Sequence, residues 1–210
     1  MDNRKKVPEI LKRLKKQHPV PRTALNFSTP FELLVATVLS AQTTDAQVNS
    51  VTPALFRKYQ TIGDFASAPL SALQKDLSSV NFFNNKAKNI QAAAKMLLQE
   101  FEGILPNTMA EITRLRGVAR KTGNILLSTI YGVNEGIAVD THVRRLSQRL
   151  GLSHNEDPVK IERDLMALAP RKDWADLSHL LIIHGRLICN ARKPKHAECI
   201  LKDLCPSKDI

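Results

Sequence analysis

No stretch of useful length in this 210-residue chain alternates apolar and polar residues with the period of a β-strand. Apolar residues recur instead at three- and four-residue spacing, in "VPEILKRLKK", "FELLVATVLSAQ", "KAKNIQAAAKMLLQEF", "GNILLSTIYG", "VRRLSQRLG", "VKIERDLMAL" and "LSHLLIIHGRLIC". That spacing gathers them on one face of a helix. Local start and stop signals agree. Thr29-Pro30-Phe31-Glu32 joins a capping box to a proline at the first helical position, and Thr108 with Glu111 repeats the box. Gly103, Gly132 and Gly151 stand where helices should end. The chain is predicted to be all-α, with about ten helices joined by short loops. Hydrophobic residues make up 43% of it, enough for a packed core, and no Gly/Ser linker, repeat or low-complexity tract divides it.

Within that frame "EITRLRGVARKTGNILLSTIYG" is the most informative segment. A short helix is expected to end at Leu115, Gly117 to allow a tight reversal, and a second helix to begin near Arg120. The start of a helix leaves several backbone N–H groups without partners and carries the positive end of the dipole. Such a place suits phosphate and reads no base sequence. Arg114, Arg116, Arg120 and Lys121 surround it. The same residues would equally suit a plain helical hairpin with a solvated basic face.

Charge narrows the classes of partner. Lys and Arg number 31 against 20 Asp and Glu, a formal net charge of +11. That excess favours nucleic acid first and an anionic membrane second. The membrane option is weak, because the basic N-terminal segment "MDNRKKVPEILKRLKK" lacks Trp or Phe anchors. It also has no apolar leader, and no run approaches the length of a membrane span, so an intracellular, reducing setting is expected. There, crowded cysteines suggest metal more than disulfide. All three lie in "CNARKPKHAECILKDLC", as Cys189, Cys199 and Cys205. Three thiolates are one short of the usual four ligands, and His196 is the nearest candidate for the fourth.

"LRGVARKTGNILL", followed by "AVDTHVRR" with its Asp140 nineteen residues after Lys121, resembles the helix-hairpin-helix DNA glycosylases of the endonuclease III family. "STPFELLVATVLSAQTTDAQVN" is similar to that family's early segment, and "LIIHGRLICNARKP" to its approach to an iron–sulfur loop. The likeness spans essentially the whole chain, with the segments in the family's order. It implies a helix-hairpin-helix glycosylase fold with two helical lobes: a six-helix barrel over residues 22–133, and a second lobe from residues 1–21 with 134–210. The catalytic groove is expected between them. It also implies base excision with strand cleavage on double-stranded DNA carrying damaged bases, oxidised pyrimidines foremost, or abasic sites. The expected enzyme is monomeric and cytoplasmic, near the nucleoid.

The resemblance carries residue roles with it. Lys121 matches the nucleophilic lysine and Asp140 the catalytic aspartate. A lysine in the first turn of a helix sits in a field that disfavours the ammonium form, as Schiff-base chemistry requires. Alternatively, Lys121 is a phosphate-binding lysine of the hairpin and Asp140 only the N-cap of the helix starting at Thr141. Gly117, Val118, Ala119, Arg120 and Thr122 form the hairpin's DNA contact. Gln42 resembles the residue that fills a vacated base stack. Phe82 lies where the family places an apolar wedge, with a core phenylalanine as the other reading. His142 lines the lesion site or is a structural helix-start histidine.

Several positions depart from the family pattern. Ala119 replaces a glycine, and alanine tolerates positive φ poorly, so altered hairpin geometry is expected. Arg116 replaces proline, while Asn81 and Phe82 replace a common Gly-Leu pair. His196 occupies the second position of a four-cysteine pattern, C-x6-C-x2-C-x5-C, whose other three positions hold Cys189, Cys199 and Cys205. The expected cofactor is a 4Fe-4S cluster with Cys3His ligation; zinc or a depleted cluster is the alternative. Ligand chemistry alone would favour zinc, and with it a non-catalytic DNA-binding helical protein. Lys121 and Asp140 discriminate, since a pure binding module needs neither.

Overall fold

The computed structural model describes residues 2–19 and 21–208. Among these the chain forms eleven α-helices, three short 3-10 turns near the C-terminal end and no strand. In order they are α1 (Asn3–Gln17), α2 (Pro30–Leu39), α3 (Asp45–Lys58), α4 (Ile62–Ser67), α5 (Leu70–Asp76), α6 (Phe83–Glu100), α7 (Met109–Ile112), α8 (Arg120–Tyr131), α9 (Thr141–Arg149), α10 (Pro158–Leu168) and α11 (Trp174–Leu187). The all-α expectation holds. No helix among the described residues is long and apolar enough to cross a membrane. Two compact units result, Ala24–Val133 and a discontinuous one of Met1–Thr23 with Asn134–Ile210.

The Ala24–Val133 unit is built around α2. Phe31 and every residue from Leu33 to Leu39 are buried, so this helix is apolar on all sides and central, packed by α3, α6 and α8. Its start is fixed locally: Thr29 accepts from Glu32 N–H while the Glu32 carboxylate accepts from Thr29 N–H. Its other end is held by Lys86, a buried lysine whose ammonium donates to Leu39 O at 2.7 Å, Ala41 O at 2.6 Å and Thr43 Oγ1 at 3.0 Å. All three donors are used, and a cation sits where a helix C-terminus favours one. Each fully buried leucine of this core contributes about 1.5–3 kcal/mol of transfer free energy.

In the discontinuous unit α1 packs on α10 and α11, and α9 packs on α10 and α11. Val7, Ile10 and Leu14 of α1 join Val143, Leu146, Ile161, Leu177, Leu180 and Leu181 in one core. Polar bonds fix the register of α1 against the end of α9. Asn3 Nδ2 donates to Gly151 O at 2.7 Å, and the buried Lys6 ammonium donates to Leu150 O at 2.5 Å.

Candidate functional site

The hairpin between α7 and α8 is formed by its backbone. Gly117 has φ +85°, and a Cβ there would meet Asn89 Cβ at 3.1 Å. Val118 turns inward, buried, and donates its N–H to Leu115 O at 3.0 Å. Helix α7 ends at Ile112 rather than at Leu115; residues 113–115 continue as turns bonded to Glu111 O and Ile112 O. Gly123 lets α8 cross α7 closely, because a Cβ would meet Met109 Sδ at 2.8 Å. Sequence reasoning missed that glycine's role, although a glycine inside an apolar helical pattern was its signal.

One expectation about the hairpin is corrected. Ala119 has φ −86°, in extended backbone that any residue adopts, so the Gly-to-Ala departure strains nothing. The positive φ falls on Gly117 instead. Ala119 is the N-cap of α8 and offers no side-chain acceptor. The first-turn N–H groups of a helix have no intrahelical acceptor, and no side chain caps this helix start. Arg116, Ala119, Arg120 and Lys121 are all exposed, with Thr122 half-buried. A polyanion's phosphate fits this chemistry.

Gln42 and Phe82 lie in the same unit, both exposed and both with left-handed backbone, at φ +54° and +58°. Phe82 is 61% exposed, which rules out the core reading.

Asp140 belongs to the discontinuous unit. Its Oδ1 accepts from the N–H groups of His142 and Val143, both at 2.8 Å, capping α9. The cap thus occupies one oxygen and leaves Oδ2 outside it. His142, half-buried, receives an Arg145 N–H at Nδ1 at 3.1 Å. Burial, foremost, holds its pKa below the usual imidazole value. Gly185 makes room for this ring: a Cβ there would stand 3.0 Å from His142 Cβ. Arg145 also donates to Gly185 O at 2.8 Å and to Cys189 O at 3.0 Å, linking α9 to the end of α11. Arg145 and Gly185 were not singled out from sequence; the paired arginines of "THVRR" and the glycine within α11 were the available signals.

The three cysteines and His196 line one cavity, with Arg149, Lys202 and Lys208 among its other walls. Arg149 donates to Cys189 Sγ at 3.3 Å and to Asn190 O at 2.8 Å. Burial pushes the Cys199 and Cys205 thiols up, and the neighbouring thiols raise each further. Such a set ionises together only when a cationic group joins it, as a metal does. The His196 Nδ1 faces the Lys208 carbonyl, which can only accept, so Nδ1 donates in that pair. The donor chemistry fits a metal group. Among the described residues, however, no three His, Cys, Asp or Glu side chains converge tightly enough for a single ion.

Comparison with known proteins agrees with this geometry. The HhH-GPD pattern, that of a superfamily of base excision DNA repair proteins, matches residues 35–171. Endonuclease III of a Synechocystis species is 50% identical over 204 residues, covering 97% of this chain and 93% of that protein. The Escherichia coli K12 endonuclease III is 39% identical over 207 residues, covering 99% and 98%. A structure of a trapped endonuclease III–DNA covalent intermediate superposes with a TM-score of 0.93 at 40% identity, covering 99% of this chain and 98% of that one. The chain therefore belongs to the endonuclease III family, within the HhH-GPD superfamily of base excision DNA repair proteins.

Proposed function

We propose that this base-excision glycosylase and AP lyase uses Lys121 as its nucleophile and Asp140 as its catalytic carboxylate, acting as an intracellular monomer on oxidised pyrimidines and abasic sites in duplex DNA. Backbone N–H groups at the start of α8 bind phosphate and set the register of the duplex. The damaged nucleotide leaves the stack, at a lower cost than an intact one. The neutral Lys121 amine attacks C1′, a C–N bond forms and the bond to the base breaks. Asp140 accepts a proton and stabilises the positive charge developing on the sugar. The base leaves with a proton, and breaking of the C1′–O4′ bond, with a proton passed to O4′, opens the sugar to an imine. This acidifies the C2′ hydrogen, whose loss breaks the C3′–O bond and leaves a 5′-phosphate on the downstream strand. The observation that carries this reading is Lys121, exposed in the first turn of α8 directly behind a hairpin with no side-chain cap. His142 is assigned to the lesion site, where its lowered pKa keeps the ring neutral at neutral pH.

Cys189, His196, Cys199 and Cys205 would hold a 4Fe-4S cluster, which supplies a rigid cross-link for this loop and a one-electron redox centre. Support comes from the one cavity that the three cysteines and His196 line together.

Borohydride reduction of a mixture with abasic duplex tests the chemistry. Wild-type protein is expected to form a covalent adduct and to nick the strand, and Lys121→Ala to do neither while still binding duplex. Full lyase activity in Lys121→Ala would overturn the assignment.

A further inference from the structure

Among the described residues only three non-glycine residues have positive φ: Gln42, Phe82 and Glu102. Glu102 belongs to an ordinary helix-end turn beside Gly103. The other two are exposed, and such backbone persists only where its surroundings hold it. What holds them is a set of bonds from the start of α6 to the loop after α2. Asn81 Nδ2 donates to Gln42 O at 2.6 Å. Lys86 fastens the backbone before it, at Leu39 O and Ala41 O, and the Thr43 hydroxyl after it. The Phe82 carbonyl accepts from the N–H groups of Asn85 and Lys86, at 3.1 Å each, so the aromatic residue is locked to the same helix. Two segments some forty residues apart are thereby one piece.

We propose that Asn81 is a positioning residue, whose bond to Gln42 fixes Gln42 and Phe82 as a single preorganised wedge for the base stack of duplex DNA. This rests on the repair reading above. An exposed phenyl ring on rigid backbone presents a flat face to a base, and side chains of this kind unstack base steps. The neighbouring amide of Gln42 offers a donor and an acceptor to base edges. Ordering these residues in advance removes that cost from the binding step. Only Nδ2 of the Asn81 amide can donate to a carbonyl, so the orientation of the side chain is fixed as well.

The test uses full-length protein and a duplex carrying a non-cleavable abasic analogue opposite 2-aminopurine, with the matching single strand as reference. Wild-type protein should raise the fluorescence as the probe base is unstacked, and should favour the duplex over the single strand. Asn81→Ala should lower that preference about five-fold, the worth of one hydrogen bond. Because Asn81 acts through the wedge as a whole, adding Asn81→Ala to a variant carrying both Gln42→Ala and Phe82→Ala should cost little more than that variant alone. A duplex preference unchanged in Asn81→Ala would overturn the proposal, as would a full Asn81→Ala loss in the variant without the wedge side chains. Borohydride trapping run in parallel separates the two readings. A coupled fluorescence response without any trapping would uphold the wedge and overturn the repair chemistry.

Discussion

The hairpin at residues 115–121 and the cysteine loop at 189–205 are held by opposite means. Buried Leu115 and Val118 anchor the hairpin, a glycine turns it, and it needs no side-chain hydrogen bond at its helix start. In the cysteine loop Leu201 is deeply buried, the cysteines are half-exposed, and guanidinium bonds from Arg145 and Arg149 grip the backbone at Cys189, Asn190 and Ala191. The first arrangement is complete as protein alone. The second directs three thiols and an imidazole into one cavity.

Removing the metal should break the comparison most visibly. Anaerobically isolated protein is expected to be brown, with about four irons per chain. His196→Ala should make the cluster labile, and amide exchange over residues 189–205 should then rise at least ten-fold while residues 120–131 keep their protection. His196→Cys should retain the cluster at a lower potential, since an anionic ligand replaces a neutral one. Stoichiometric zinc without iron would contradict the cluster; an unchanged cluster in His196→Ala would remove histidine from its ligands.

A smaller effect is expected at the hairpin. Gly117→Ala places a side chain at φ +85°, against Asn89, and should cost about 1–2 kcal/mol in chemical denaturation. Affinity for undamaged duplex should fall with it, and metal content should not. Loss of the metal in this variant would show that the two loops are not held independently.

Those contrasts track what was legible in the sequence. Thr29, Thr108, Gly132 and Asp140 act on residues within five positions of themselves, so their capping roles can be read directly. The box expected at Thr108 is only half made: Thr108 accepts from Glu111 N–H, while the Glu111 carboxylate takes the Thr108 hydroxyl instead of its N–H. The hairpin's turn was legible for the same reason, although the burden attributed to Ala119 falls on Gly117 alone. Lys86, Arg145 and Arg149 were not legible as anchors. The backbone carbonyls they hold lie forty or more positions away in sequence, and no periodicity encodes such a bond. Phe82 was ambiguous because exposure depends on which helix face meets the core, which sequence near a helix start does not settle.

The smallest expected effect is acid sensitivity. All six histidines lie in the discontinuous unit, at positions 18, 142, 154, 179, 184 and 196. Burial lowers the pKa of His18 and His179, so between their folded values and about 6.5 the unfolded chain binds more protons than the folded one. Stability of that unit should therefore decline as pH falls below about 6.5, with the Ala24–Val133 unit unaffected by histidine titration. Amide exchange at pH 7 and pH 5.5 checks it unit by unit.

The central claim is that Lys121 carries the chemistry, and peptide mapping of the borohydride-trapped adduct tests it most directly. The account predicts the sugar-derived mass on the peptide containing Lys121 and on no other lysine. An adduct on the N-terminal amine, or on another lysine such as Lys86 or Lys88, would contradict it.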